Sequence, residues 1–259
     1  MGERFDITRA VAEGQLVIEG RAEQSLYPER RFMVCDRLIT VDAPDGSGKG
    51  VFAEIICEQL ALRYGKDNVL LAKPTRFDDS PEAHGLQERL MAKRDLASDS
   101  VRHNTHFMAA VMLNYKTVIV PALDDGKIVV VDSSEVRSLA FMLDRGTPSA
   151  IASTLRWIRS GRATTGIIAG NRVIVNATPE DCLANIDARG KRDYGDPMDI
   201  KEAERRLDCY GVAFAALGRL NTDIPINIIS VDNPRVEVPD IATHLDELVS
   251  RQVIPKIRL

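Results

Sequence analysis

Short apolar runs alternate with longer amphipathic stretches along most of the chain. The runs are rich in β-branched residues and carry few polar positions, a pattern typical of strands buried on both faces of a parallel sheet. This pattern predicts five strands, at positions 38–41, 69–71, 127–131, 172–175 and 226–231. The stretches between and after them predict helices at positions 50–64, 83–93, 105–123, 180–189, 201–220 and 240–251.

The alternation of strands and helices indicates an α/β fold with a doubly wound, five-stranded parallel sheet flanked by helices on both faces. Residues 1–37 precede the first predicted strand and show no clear period, so we treat them as an N-terminal extension to a domain over 38–259. Within that domain, Gly, Pro and charged residues cluster over 73–81 and 190–200, which predicts two loops. The second of them is the expected mobile lid.

The loop after the first strand carries the strongest chemical signal of the chain. It reads Ala43-Pro44-Asp45-Gly46-Ser47-Gly48-Lys49-Gly50 and leads directly into a predicted helix. This strand, loop and helix order is the context of a Walker A motif, in which glycines let backbone amides surround a phosphate. The plain alternative is a Gly-rich turn. We predict a three-layer P-loop NTPase fold whose ATP-binding residues are Asp45, Gly46, Ser47, Gly48, Lys49, Gly50 and Val51.

Two positions of this loop depart from the usual motif. Ala43 replaces the first glycine, and Gly50 stands where Ser or Thr usually offers a hydroxyl to Mg²⁺. A water molecule can occupy the missing ligand position, so Mg²⁺ stays an expected cofactor. Lys49 is the expected catalytic lysine, since its ammonium group would reach the β- and γ-phosphates.

An ordered series of segments resembles thymidylate kinases over most of positions 38–250. The first is the Walker loop with the preceding Val41-Asp42, and the second is Pro74-Thr75-Arg76 after the second strand. The series continues with the stretch over 121–132, which ends in Lys-Ile-Val-Val-Val-Asp, and with Ser138-Leu139-Ala140-Phe141. It ends with the segments over 173–180 and 189–193.

The resemblance assigns roles to several of these residues. Asp132 follows a very apolar strand and would hold Mg²⁺ or position the acceptor, although a carboxylate here also suits a helix cap. Asp45 would contact the acceptor sugar, or it is only a turn former. Arg76 would clamp the acceptor phosphate, and a solvated loop arginine is its alternative. Because Asp132 would hold Mg²⁺ or position the acceptor, it is both a catalytic and a metal-binding candidate.

The lid segment adds a cluster of basic residues. Arg189 and Arg192 flank Gly190 and Lys191 after a predicted helix, so they could close over ATP and stabilise charge on the transferred group. We assign both arginines a catalytic role. The alternative is a basic turn that complements the helix dipole.

The residues expected to bind the phosphate acceptor depart from the family pattern. Asp132 is followed by Ser133 instead of arginine, and Arg137 is the candidate replacement unless it faces solvent. The helix over 105–123 offers only Asn114 where the family has an arginine and a base-reading amide. We count Ser133, Arg137 and Asn114 as substrate-binding candidates with Asp45 and Arg76, and the identity of the base stays open.

The composition and charge of the chain limit the classes of partner and of cellular location that we expect. With 34 Lys and Arg against 38 Asp and Glu, the chain has a formal net charge of −4, which disfavours a main role in holding nucleic acid without excluding a basic patch. No apolar run approaches the roughly 20 residues of a membrane span. The N-terminus carries no signal-peptide pattern, and four irregularly spaced cysteines indicate neither a disulfide framework nor a metal site. We expect a cytoplasmic protein.

These observations predict an ATP- and Mg²⁺-dependent phosphotransferase that acts on a (deoxy)nucleoside monophosphate. The resemblance also implies a homodimer. Two alternatives stay open. One is a kinase for a nucleoside or for a modified base in a polynucleotide, and the other is a degenerate relative that binds nucleotide as a regulator without catalysis.

Overall fold

The computed structural model describes residues 33–73, 108–109, 111–159, 164–190, 192, 196–220, 226–233 and 241–259. The predicted helix at 83–93 lies outside these residues, as do Arg76 and Lys191. The predicted helix at 105–123 lies partly outside them.

Five parallel strands form a single sheet in the described chain, as the sequence predicts. They are β1 (Met33–Asp42), β2 (Val69–Ala72), β3 (Ile128–Asp132), β4 (Ile167–Asn176) and β5 (Asn227–Asp232). The order across the sheet is β2-β3-β1-β4-β5. β1 begins at Met33, so the predicted boundary between an extension and the domain, at 37 and 38, falls inside this strand.

The helices cover both faces of the sheet. They are α1 (Lys49–Tyr64), α2 (Val120–Asp124), α3 (Glu135–Arg145), α4 (Pro148–Arg159), α5 (Pro179–Ala188), α6 (Ile200–Leu220) and α7 (Ile241–Leu248). A π-helical turn over Tyr115–Ile119 precedes α2, and another over Val249–Val253 follows α7. The sequence pattern predicted no helix between β3 and β4, where α3 and α4 lie.

Alternate residues of the central strands enter different cores, which gives the fold three layers. Ile39 and Val41 of β1 pack with Phe52 of α1, whereas Leu38 packs with Tyr115 and other residues on the opposite face. A third cluster joins α3 and α6 through Leu139, Tyr210 and their neighbours, and Ile151 of α4 packs against it. The amphipathic faces of α3 and α4 therefore meet other helices, and their omission was an error of prediction and not a missing signal.

Local signals start the helices next to the sheet edge. Ser134 caps α3 by accepting a hydrogen bond from the Val136 amide, so the cap is Ser134 and not Asp132. Thr178 caps α5 in the same way, and Pro179 follows at the first helical position. Both helices thereby begin just beyond the carboxyl ends of strands, the edge where ligands bind in such sheets.

Candidate phosphate-binding site

The loop between β1 and α1 has the backbone conformation that its glycines permit. Gly46 has φ of 86° and Gly48 has φ of 83°, values in the left-handed region that favours glycine. The Ser47 hydroxyl donates to the Pro44 carbonyl at 2.7 Å, which tightens the turn. Gly48 is the first residue before α1, so the loop ends at a helix N-terminus, where backbone N–H groups and the helix dipole favour an anion.

Two asparagines from distant elements hold this loop. Asn185 of α5 donates to the Gly46 carbonyl at 2.8 Å, and Asn233, directly after β5, donates to the Ser47 carbonyl at 2.8 Å. Because the N–H and C=O of a trans peptide point in opposite directions, the second contact turns the Gly48 amide away from Asn233. The sequence analysis missed both residues, although Asn233 follows a strand at the ligand-binding edge.

Lys49, Asp45 and Arg137 form an ion-pair group at the mouth of the loop. Lys49 Nζ lies 2.9 Å from Asp45 Oδ1, and Arg137 Nη2 lies 3.1 Å from the same oxygen. Burial opposes ionisation of Asp45, but Arg137 and Lys49 outweigh it and hold the pKa of this carboxyl well below its usual range. Arg137 therefore faces the loop and not the solvent, and its substrate-binding role stays a prediction.

Asp132 lies across from the start of α1. A Cβ built on Gly50 would lie 3.3 Å from Asp132 Oδ2, so the space that a Walker serine would fill faces this carboxylate. Among the described residues, no three or more His, Cys, Asp or Glu side chains cluster to form a complete metal site. The arrangement fits Mg²⁺, which is commonly bound by one or two carboxylates with phosphate oxygens and water.

A buried polar network supports the edge beside Asp132. The Asp42 carboxylate accepts hydrogen bonds from the Ser134 amide at 2.7 Å and from the Ser134 hydroxyl at 2.8 Å. Next to it, Arg172 of β4 pairs with Glu135 at 2.5 Å. Burial raises the pKa of Asp42, while Arg172 and the Ser134 hydrogen bonds oppose that shift. The network joins β1 and β4 to the N-terminus of α3.

Ser133 and Asn114 are both buried. Ser133 has φ of 83° and is 3% exposed, and its amide bonds the Val41 carbonyl. Asn114 is 2% exposed, and its side-chain oxygen has no hydrogen-bond partner in the described part of the chain. Among the acceptor candidates on these elements, Arg137 contacts the loop at Asp45, and the roles of Ser133 and Asn114 stay predictions.

The two lid arginines are bound to nearby acceptors. Arg189 lies 2.9 Å from Asp196, whose side chain is 3% exposed. Arg192 lies 2.6 Å from Asp187 and also donates to the Pro197 carbonyl. These contacts join the last turn of α5 and the segment that follows it, so both guanidinium groups would have to exchange partners to reach a nucleotide.

The sheet order and the glycine loop define a P-loop α/β protein with a nucleotide-binding edge. The chain is similar to thymidylate kinases in both sequence and fold, which confirms the resemblance predicted from its motifs. The thymidylate kinase of Exiguobacterium is 26% identical over 201 residues, which is 75% of this chain and 85% of that protein. The enzyme of Leuconostoc mesenteroides is 24% identical over 174 residues, covering 66% and 79%.

A shorter alignment gives higher identity. The thymidylate kinase of the Wolbachia endosymbiont of Brugia malayi is 30% identical over 98 residues, but this alignment spans only 43% of that protein. The crystal structure of thymidylate kinase from Ehrlichia chaffeensis superposes with a TM-score of 0.55 at 18% identity, over 84% of this chain and 97% of that one. No protein-family model matches the chain. Within the described ranges, the helices lack the length and apolar character needed to cross a bilayer.

Proposed function

We propose that this chain is an ATP-dependent kinase that transfers a phosphoryl group to a nucleoside monophosphate. The observation that carries the proposal is the juxtaposition of the glycine loop, Lys49 and Asp132 at one edge of the sheet. Such a loop binds phosphates through main-chain amides, and a carboxylate opposite it suits a magnesium ion. Similarity to thymidylate kinases supports the same reaction.

Lys49 and Asp132 would serve the donor side. Lys49 would exchange Asp45 for oxygens of the β- and γ-phosphates, and Asp132 would hold Mg²⁺ with phosphate and water oxygens. When bound, the metal ion offsets negative charge on the phosphates. Catalysis would then rest on positioning and charge stabilisation, with no covalent intermediate on the protein.

Asp45 and Arg137 would serve the acceptor side. Release of Lys49 leaves Asp45 with Arg137 as its remaining ion-pair partner and with an oxygen open to a hydroxyl donor on the acceptor sugar. Arg76, Asn114, Arg189 and Arg192 keep their predicted roles in this proposal. By similarity to thymidylate kinases we also propose a homodimer that acts in the cytoplasm.

An acceptor panel with radiolabelled ATP tests the proposal. The panel contains nucleosides, nucleoside monophosphates and a single-stranded oligonucleotide, each with Mg²⁺. We expect transfer to at least one monophosphate and a loss of about 10³-fold in kcat for Lys49→Met, because the lysine offsets charge that develops during transfer. Lys66→Met is the matched control, since Lys66 is exposed in the turn between α1 and β2, at the edge of the sheet opposite the loop.

Three results would redirect the assignment. Transfer only to nucleosides or to the oligonucleotide would support the alternative kinase. ATP binding measured by calorimetry without transfer to any acceptor would indicate a nucleotide-binding regulator. Failure to bind any nucleoside triphosphate would overturn the phosphate-binding assignment itself.

A further inference from the structure

Helix α6 contributes two buried polar side chains next to the ion-pair group of Lys49, Asp45 and Arg137. Arg206 is 6% exposed and Tyr210 is 7% exposed. Their spacing of four residues places them on one face of the helix. Since α6 packs along α3, which carries Arg137, this face lies towards the proposed acceptor side of the loop.

Each of these side chains has a donor group without a partner. Arg206 Nε donates to Asp144 Oδ2 at 3.2 Å, but its Nη2 group has no hydrogen-bond partner among the described residues. The Tyr210 hydroxyl likewise finds none in the described chain. Buried donors are nearly always paired, because an unpaired one costs free energy. Two of them on one helical face need an explanation.

Arg206 contacts Asp144 of α3 and Tyr210 packs with α3 residues, and both groups interact electrostatically with Asp45. Arg206 adds to the larger effects of Arg137 and Lys49 that lower the pKa of Asp45 against its burial. Burial raises the pKa of Tyr210 well above its usual value, and the charge of Asp45 raises it further while Arg137 opposes the shift. The tyrosine hydroxyl therefore remains a proton donor at neutral pH. Both groups can donate hydrogen bonds next to Asp45.

We infer that Arg206 and Tyr210 bind the acceptor, with their unpaired N–H and O–H groups donating to oxygens of the acceptor's phosphate group beside Asp45. One cationic and one neutral donor, both buried, match an anionic oxygen group. The pair also offsets a deficit on this side of the site, where Ser133 brings no charge. The inference deepens the proposed function and rests on it.

Tyr210→Phe is the sharpest test, because it removes only the hydroxyl. We compare the variant with the wild-type chain in steady-state transfer from ATP to the four common deoxynucleoside 5′-monophosphates and to their nucleosides. On the acceptor that the wild type uses best, we expect KM for the acceptor to rise by about tenfold, as for one lost hydrogen bond to a charged group. We expect KM for ATP to change by less than about twofold.

Thermal unfolding separates this role from a structural one. If the hydroxyl serves only the ligand, Tyr210→Phe keeps or raises the Tm, since an unpaired buried group is removed. Arg206→Lys is the second variant, chosen because its ammonium group can still pair with Asp144. We expect a rise in acceptor KM here too. Tyr64→Phe is the control, because Tyr64 is exposed at the end of α1.

The outcomes distinguish the two proposals. An active wild type with unchanged acceptor KM in Tyr210→Phe and Arg206→Lys would overturn this inference alone and leave internal water as the partner of both donors. Wild-type transfer only to nucleosides would also overturn it, because the acceptor would carry no phosphate. Absence of transfer to any acceptor would overturn the proposed function and this inference together.

Discussion

The ammonium group of Lys49 lies 2.9 Å from the Asp45 carboxylate, so the lysine of the phosphate loop is held by a residue of the proposed acceptor side. In the proposed reaction, a nucleoside triphosphate would have to compete with Asp45 for this lysine. The same exchange would release a carboxylate oxygen for the acceptor. Donor and acceptor binding would thereby be linked through one side chain.

Replacing Asp45 by Asn should separate these effects. We expect the affinity for ATP, measured by calorimetry, to stay equal or to increase, because the competing carboxylate is gone. We expect the kcat/KM for the acceptor to fall by about tenfold or more, as when a charged hydrogen-bond partner is lost. A marked loss of ATP affinity would show that Asp45 supports the loop instead of competing for Lys49.

The depressed pKa of Asp45 predicts an acid-sensitive contribution to stability. Its usual value is near 3.8, and its folded value lies below this. The stabilisation is therefore fully present above the unfolded pKa and is lost as the pH falls through the folded pKa. We expect the free energy of unfolding, measured with urea between about pH 5 and pH 3, to fall less in Asp45→Asn than in the wild type. Parallel curves would contradict the assigned ion pairs.

Gly46 should tolerate no side chain. A Cβ at this position would lie 2.3 Å from the Cys182 carbonyl oxygen, so the loop or α5 would have to move. We expect Gly46→Ala to abolish ATP binding in a calorimetric titration. Gly166→Ala is the matched control, because Gly166 has φ of 87° and open space around its Cβ. The control should cost only the strain of a left-handed alanine, about 1–2 kcal/mol, and keep ATP binding.

Replacing Gly50 by alanine should affect metal binding more than stability. Alanine is favoured over glycine in a helix interior by about 1 kcal/mol, but Gly50 is only the second residue of α1 and the new Cβ crowds Asp132, so we expect Gly50→Ala to change the Tm little. The added methyl group lies 3.3 Å from Asp132 Oδ2 and crowds this carboxylate. We expect the Mg²⁺ concentration for half-maximal transfer to rise severalfold. An unchanged Mg²⁺ requirement would argue against Asp132 as the metal-binding residue.

Asp144 should be the most sensitive ionic position between α3 and α6. Its side chain is 2% exposed and accepts from Arg205 Nε at 2.6 Å and from Arg206 Nε at 3.2 Å. Asp144→Ala removes the acceptor of the buried Arg206, while Arg205 keeps Glu202 at 3.5 Å, and we expect a loss of about 3 kcal/mol in the free energy of unfolding. Glu247→Ala, which removes an exposed pair with Arg251, should cost less than about 1 kcal/mol.

The strands and the phosphate loop could be predicted because their signals are local. Each β-branched run reports burial on both faces of a sheet, and the spacing of Gly46, Gly48 and Lys49 reports the loop. Helix α3 was missed although its apolar positions have helical spacing, with Val136, Leu139, Ala140 and Leu143 buried in the cluster with α6. Its cap, Ser134, also lies in a run of polar residues in which Asp132 is an equally good candidate.

The contacts that complete the site could not be predicted, because they join residues far apart in the chain. Arg172 pairs with Glu135 only because β4 lies next to β1 in the sheet. The contact between Arg137 and Asp45 needs the first turn of α3 to point at the loop. The hydrophobic periodicity of the sequence does not predict these pairings. They follow from the strand order.

The hydrogen bonds from Asn185 and Asn233 bear on how the chain acquires its binding loop. The glycine motif is complete by position 50, but the groups that fix it come more than a hundred residues later. The pairing of β1 with β4 spans a similar separation, and closing loops of this length slows folding. Pulsed hydrogen exchange during refolding can follow the later step at the Asn233 amide, which donates to the Asn176 carbonyl at 2.8 Å, and we expect its protection to appear no earlier than that of the β1 amides. A growing polypeptide would carry the motif long before it could hold a nucleotide.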